Sequence, residues 1–369
     1  MDSTTVAIYE QQAQRYQARR QPLSAPVAQA LNTATPVGAV RLDAGCGPGW
    51  YGPHLGEPYV ALDIARSMLE LVPTYAPGAL RVQADLAHLP FRRHSIGAAF
   101  ANRSYLHVPK VDLPLALWDL HRVVAPGAGV RIAMIEGDYE GRQSDDDLAV
   151  GDASRFFALW PEASLVDVFT GAGFADLRVE RMERSLVTAA TRARTLADVV
   201  GPSMRLLIVG LNPSLYAADV GVGFARPGNR FWPALNAAGI TGVNRDPMRL
   251  FRQHRIGMTD MVKRATSKAD EVTKVEFRNG LERLDRLCVW LQPAAVCILG
   301  LTGYRAATDR AATTGWQTRS LGGCPVYVMP NPSGLNAHDT VESLARHLRI
   351  ALAERQPSPG FLVDVVQTG

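Results

Sequence analysis

Met204-Arg205-Leu206-Leu207-Ile208-Val209-Gly210-Leu211-Asn212-Pro213 reads as a short buried strand that delivers an Asn-Pro pair at its carboxyl end. Val326-Tyr327-Val328-Met329-Pro330-Asn331-Pro332-Ser333-Gly334-Leu335-Asn336 repeats the arrangement nearer the C-terminus. In an open α/β sheet, ligands are handled at the carboxyl ends of the strands. An amide held at that edge, with a proline stiffening the turn behind it, suits a site that orients a water or reads a base.

Working outward, the same half alternates strand and helix. Helices are expected near Phe231–Ala238, Val275–Leu291, Tyr304–Thr313 and Val341–Glu354, with a further strand over Ala295–Gly300. Gly257-Met258-Thr259-Asp260 reads as a loop. This pattern predicts a compact three-layer α/β domain.

The other half opens its pattern with Ala39-Val40-Arg41-Leu42-Asp43-Ala44-Gly45-Cys46-Gly47-Pro48-Gly49, a strand running into a glycine-rich turn. Tyr59–Asp63, Leu80–Asp85, Ala98–Ala101 and Val130–Ile135 read as further strands, and Leu113–Val124 as a helix between two of them. A doubly wound sheet follows. Trp160-Pro161-Glu162-Ala163 opens a helix running to Gly171, and Leu177–Glu180 is a strand. The domains are placed at 1–190 and 191–355, with the boundary near Thr188–Arg194 and a loose tail over 356–369. The acidic stretch 137–152 is expected to form a loop over the first site.

The whole chain has 369 residues, 47% of them hydrophobic and 20% charged, which suits two packed cores. No apolar run approaches a membrane span. The polar start Met1–Arg20 lacks a signal-peptide core, so a cytoplasmic location is expected. Cys46, Cys288, Cys297 and Cys324 lack metal-type spacing and are read as buried reduced thiols. From Arg192 onward there are 22 Lys and Arg against 14 Asp and Glu, whereas the preceding residues hold 17 basic against 21 acidic. Only the second half is therefore suited to a polyanion.

The segment from Asn212 to Trp232, with Phe224-Ala225-Arg226-Pro227-Gly228-Asn229-Arg230-Phe231-Trp232, resembles the mismatch-specific uracil/thymine-DNA glycosylase family. That family carries Gly-Ile-Asn-Pro-Gly, Phe-Ala-x-Pro-x-Asn-x-Phe-Trp and Asn-Pro-Ser-Gly-Leu elements, and their counterparts occur here in order. The resemblance implies a uracil-DNA-glycosylase-like domain that binds double-stranded DNA at a G·U or G·T pair, without metal or cofactor. It implies that Asn212 orients a catalytic water and that Phe224, with Leu215 and the small Ala217, forms the base pocket. Leu335, flanked by Gly334 and preceded by Asn331, would wedge into the duplex, and Asn336 would address the widowed base. Arg226, Arg230, Lys263, Arg264 and Lys268 are candidate phosphate contacts. Backbone N–H groups near Leu215–Ala218 would stabilise the departing base. A monofunctional enzyme leaving an abasic site is expected, with thymine slower than uracil and cytosine left intact. The family's Gly after Asn-Pro is Ser214 here, which would be strained, and activity lowered, if that position needs a left-handed backbone or a close backbone approach.

The N-terminal half resembles class I S-adenosylmethionine-dependent methyltransferases, with a Rossmann-like doubly wound sheet. The resemblance rests on Asp43–Gly49, Asp85-Leu86-Ala87-His88-Leu89-Pro90-Phe91 and Arg122–Gly129. It implies S-adenosyl-L-methionine as cofactor, with Gly45 and Gly47 at the methionine moiety, Asp63 at the ribose and Asp85 at the adenine, and with Asp43 and Leu86 also in the binding site. A dinucleotide-binding domain is the competing reading. Gly97 stands where the small-molecule branch of these methyltransferases often has an acid, and base-methylating motifs are absent. Asn102, Tyr105 and His107 face either the methyl group or an ordinary capped loop. The methyl acceptor is left open, and a monomer is expected. The alternative for the whole chain is a methyltransferase of a small molecule or RNA whose C-terminal domain binds nucleic acid but has lost excision.

Overall fold

The computed structural model describes residues 1–143, 154–182, 184–336 and 338–353. Among the described residues, nine strands precede the second sheet: β1 (Arg41–Ala44), β2 (Tyr59–Asp63), β3 (Leu80–Gln83), β4 (Ile96–Asn102), β5 (Val124–Ile135), β6 (Glu140–Gln143), β7 (Arg155–Ala158), β8 (Phe174–Met182) and β9 (Ser185–Arg192). Seven of these form one sheet in the order β3-β2-β1-β4-β5-β9-β8. The strands from β3 to β5 pair in parallel, and β9 runs antiparallel to both of its neighbours. Every residue of β1 is buried, as expected for a strand covered on both faces.

The second sheet contains β10 (Leu206–Gly210), β11 (Ile256–Asp260), β12 (Val296–Leu299), β13 (Gly315–Trp316) and β14 (Val326–Met329). Its order is β11-β10-β12-β14-β13, parallel except for β13. Strand order reverses beside β1 in the first sheet and beside β10 in the second. The glycine-rich turn and Asn212 therefore both leave their sheets at a topological switch point, where a crevice opens at the strand ends.

Several expected elements shift. Gly257–Asp260 is not a loop but most of β11, all of whose residues are buried. Its glycine and aspartate resemble turn residues, but Gly257 serves close packing: a Cβ there would lie 2.3 Å from Met204 Sδ. The helix expected over Tyr304–Thr313 spans Leu301–Ala307 instead, beginning at once after Gly300. Helices Ser3–Arg19, Ala25–Ala34 and Pro247–His254 were not expected. The last carried the signals of a helix start, with Asp246 capping the Arg249 N–H and proline in the first turn. The acidic stretch begins as β6 paired with β7, whereas residues 144–152 and the tail 356–369 lie outside the described residues. All four cysteines are buried free thiols. Among the described residues, no helix is long and apolar enough to cross a membrane.

Strand β9 carries the first sheet through Arg192, so the expected boundary at 190/191 falls inside its last residues. The connection beyond it is anchored by Asp198, which is buried and accepts from Thr259 Oγ1 (2.6 Å), Lys263 Nζ (2.6 Å) and Arg283 Nη1 (2.9 Å). Its backbone N–H donates to Gly171 O in the first domain at 2.8 Å. Arg286 adds a two-pronged pair with Asp167, and the Trp160 and Trp290 rings meet edge to face at 5.6 Å.

Burial pushes the Asp198 carboxyl up, but Lys263 and Arg283 outweigh it and hold the group below the usual aspartate range. Its stabilisation is therefore full at neutral pH and is lost only as the pH falls through that depressed value. Asp198→Ala leaves two cations buried without their anion. It is expected to lower unfolding free energy by about 3–5 kcal/mol, measured from the shift in urea midpoint.

Candidate functional site

A cavity of about 640 Å³ opens at the strand ends of the second sheet, with Asn212, Phe224, Asp260, Thr266, Asn331 and Leu335 in its wall. Asn212 follows β10 by two residues. Its Nδ2 donates to Thr266 Oγ1 at 2.7 Å and to Arg264 O at 3.1 Å. The Thr266 hydroxyl spends its hydrogen on Lys268 O at 2.7 Å, so it can only accept from Asn212. This chain decides which way the amide faces. Among the described residues Oδ1 receives no hydrogen bond, and it remains as the acceptor for a ligand or water.

Ser214 begins helix Leu215–Val220 as its N-cap, with φ −75° and its hydroxyl accepting from Ala217 N–H. Any L-residue adopts that backbone, so serine in place of glycine carries no strain. Three of the four N–H groups expected at a departing anion are already engaged: Leu215 with Thr266 O, Ala217 with Ser214 Oγ and Ala218 with Ser214 O. Ala217 is buried, and neither it nor Leu215 belongs to the cavity wall.

Phe224 lines the cavity and packs on Phe231 at 4.4 Å between ring centroids. Its φ is +58°, a left-handed backbone that a bulky side chain adopts at a cost of ~1–3 kcal/mol. Such strain persists where surrounding structure dictates the position of the ring.

The loop after β14 exposes Leu335, which is 89% accessible and is no core leucine. Gly334 sits against the neighbouring loop, where a Cβ would lie 2.9 Å from Gly228 O. Asn331 Oδ1 accepts from Ser333 N–H, and Asn336 Nδ2 donates to Asn331 O and Asp339 Oδ2, both at 3.0 Å. The Asn336 amide is thus spent within the loop, not presented to a partner base.

The expected phosphate contacts divide. Arg230 donates to the backbone carbonyls of Ser333, Asn336 and Asp339 and clamps the Leu335 loop from inside. Lys263 is buried against Asp198, and Arg264 is paired with Glu276 through both Nε and Nη2. Arg226 and Lys268 remain at the cavity rim. Sequence reasoning missed Thr266, Asp260 and the clamping role of Arg230. Thr266 lies far along the chain from Asn212 and meets it only through a bridge to Ser214.

At the first sheet's switch point the turn after β1 takes left-handed φ at Gly45 and Gly47 (+76° and +52°), and a Cβ on Gly45 would strike Ser104 Cβ at 2.3 Å. Asp63 accepts from the N–H groups of Gly47 and Ala65, both at 2.9 Å, and burial nevertheless pushes its carboxyl up to about 6. Asp43 is fully buried. One oxygen accepts from Tyr59 OH, the other has no partner, and burial pushes the group up to about 7. Asp85 accepts from Ala87 N–H and the Met1 amino group. Gly45, Gly47, Asp63 and Leu86 line a cavity of about 50 Å³ that Tyr9 and Tyr16 of helix Ser3–Arg19 also wall.

Asn102 is tied to Ser24 and Tyr51, and Tyr105 is fully buried. His107 Nδ1 faces Phe156 O at 2.6 Å and Nε2 faces Tyr9 OH at 2.8 Å. A carbonyl only accepts, so Nδ1 carries the hydrogen and Nε2 accepts from Tyr9. Burial pushes the imidazole down to about 4, so it is neutral with both nitrogens engaged.

Comparison with known proteins matches this division. Residues 197–353 match the model of the uracil DNA glycosylase superfamily, and residues 42–132 match a methyltransferase domain. The chain thus carries a methyltransferase domain followed by a uracil-DNA glycosylase superfamily domain. Solved structures similar to it include the DhpI–SAH complex, at 21% identity over 52% of this chain and 96% of that one, with a TM-score of 0.43. A SAM-dependent methyltransferase from Methanosarcina mazei is 19% identical over 42% of this chain and 92% of that one (TM-score 0.38). The 1,6-didemethyltoxoflavin-N1-methyltransferase of Burkholderia thailandensis is 19% identical over 51% and 88% (TM-score 0.40).

Lys268→Ala is expected to lower the slope of log K for DNA against log salt by about 1, the value for one lost phosphate contact. Lys263→Ala is expected to leave that slope unchanged while lowering the melting temperature. Salt-dependent fluorescence anisotropy distinguishes the two.

Proposed function

We propose that the C-terminal domain is a monofunctional DNA glycosylase acting on uracil, and more slowly thymine, opposite guanine in double-stranded DNA. The observation that carries this reading is the pinned Asn212 amide, with its Oδ1 unoccupied, in one cavity with Phe224 and Leu335. Cleavage of the N-glycosidic bond builds positive charge on the sugar and negative charge on the base. Uracil tolerates that charge, so orienting a water below C1′ is the main task, and orientation is a large catalytic term. Phe224 offers a face for the extruded base, and stacking of this kind is worth ~1–3 kcal/mol. Exposed Leu335, on a loop that Arg230 holds rigid, fills the space the base vacates. The pocket wall lacks Ala217, so thymine discrimination rests on other wall groups. Ser214, the residue that favoured the alternative of lost excision, has an extended backbone without left-handed strain.

For the N-terminal domain we propose S-adenosylmethionine binding at the β1 switch point. The residues present fit that group: a glycine cradle that admits no Cβ at Gly45, a carboxyl at the β2 end, and a buried Asp43 oxygen without a partner. Gly45 and Gly47 would hold the methionine part, Asp63 the ribose, and Asp85 with Leu86 the adenine. When bound, the group supplies an electrophilic methyl. The present cavity is smaller than the ~300 Å³ and more of ordinary ligand sites, so its walls, Tyr9 and Tyr16 among them, would part on binding. The methyl acceptor is unassigned.

A duplex with one G·U pair, treated with enzyme and then alkali, tests the first reading. Wild type is expected to cleave, with Asn212→Ala slower by about 100-fold or more and Thr266→Val by about tenfold, as expected for losing one orienting hydrogen bond. Equal rates for Asn212→Ala and wild type would reject the assigned role. Calorimetry tests the second: S-adenosylmethionine is expected to bind wild type and to bind Asp63→Ala at least tenfold more weakly, and a flat wild-type titration rejects it.

A further inference from the structure

We propose that Asp260 is a specificity-determining residue that touches the departing base, donating the hydrogen of a neutral carboxyl to one of its carbonyl oxygens. This rests on the glycosylase reading above.

Asp260 ends β11 in register with Gly210, two residues before Asn212, so the sheet places it at the same edge as the catalytic amide. It lines the cavity and is only 8% exposed. A Cβ built on Gly210 would lie 2.3 Å from Asp260 Oδ1 and 3.4 Å from Phe224 Cζ. The carboxyl therefore lies across the end of β10 beside the ring on which the base would stack, and only a glycine at 210 leaves room for it.

The carboxyl is unusual in having nothing to hold it. Its backbone carbonyl accepts from Arg283 Nη2 at 3.0 Å, but among the described residues its side-chain oxygens receive neither a hydrogen bond nor an ion pair. The cations nearest to it are already taken: Lys263 and Arg283 both pair with Asp198. The other charged groups of the wall are Arg226, Lys268 and Asp270, while β10 and Asn212 contribute none. Burial pushes Asp260 up to about 6, with Lys263 opposing and Asp198 adding to the rise. A structural aspartate buried this far is ordinarily paired. One left bare inside a ligand cavity is held for the ligand.

In the reaction the water oxygen bonds to C1′ as the C1′–N1 bond breaks. The electron pair leaves on the base, spread over N1 and the carbonyl oxygens, and the water's proton passes to solvent. A neutral carboxyl donates to that growing charge and keeps its proton, whereas an ionised one repels it. Excision should therefore quicken as the pH falls through about 6.

Single-turnover excision of G·U is to be measured from pH 8 to pH 5 for wild type, Asp260→Asn and Asp260→Ala, with thermal melts to confirm folding. Wild type is expected to speed up about tenfold between pH 7 and pH 5, following one titration near 6. Asp260→Asn, a donor at every pH, should be flat and at pH 7 at least as fast as wild type. Asp260→Ala should be flat and slow. Cleavage with a flat wild-type profile, or a rise that survives in Asp260→Asn, overturns the role of Asp260 alone. No product from wild type at any pH overturns the glycosylase reading, and this inference with it.

Discussion

Asp198 is the point on which both halves turn. It sits just past the last strand of the first sheet, donates its backbone N–H to Gly171 O of that domain, and gathers Lys263, Arg283 and Thr259 of the other. A buried carboxylate with two cations is costly to desolvate and costlier to break apart. The geometry it imposes is local and directional. Arg283, fixed by Asp198, also holds Thr259 Oγ1 and the carbonyl of Asp260. Thr195 Oγ1, on the same connection, donates to Lys263 O. The segment leading from β11 to Arg264 and Thr266 is thus fastened at its start, and this segment is what orients the Asn212 amide. A contact at the domain seam is in this way continuous with the edge of the second sheet that carries Asn212.

Much of this was legible in the sequence, and for identifiable reasons. Strands β10 and β14 are apolar runs closed by Asn-Pro, and Val326–Met329 falls at the observed bounds. The glycine turn after β1 was legible as a strand running into a ligand-type loop, although the strand order that puts it at a switch point was not. What failed to show depends on pairings between distant segments. Gly257 and Asp260 resemble a turn until β11 is seen to lie beside β10, where the glycine admits Met204 and the aspartate reaches over Gly210. Arg230, Lys263 and Arg264 read as free cations because a sequence gives their charge but not their partners. The structure assigns all three to carboxylates or carbonyls of the protein itself.

The two loops that frame the second cavity form one unit. Arg230 N–H donates to Pro332 O at 2.9 Å, its guanidinium collects three further carbonyls, and Gly334 lies against Gly228. Among the described residues, the only large apolar side chain this unit offers to solvent is Leu335. Rigid backbone beneath an exposed leucine keeps the cost of ordering low when the side chain is buried in a complex.

Phe224 adds a different consequence. Its left-handed backbone would suit glycine, and its ring rests on Phe231. Selection for a sturdier fold alone would favour the smaller residue, and selection for a stacking surface favours the aromatic. A library of this chain sorted only by heat resistance should thus drift toward glycine at 224 and lose the aromatic face of the cavity, so position 224 marks where robustness and usefulness part company.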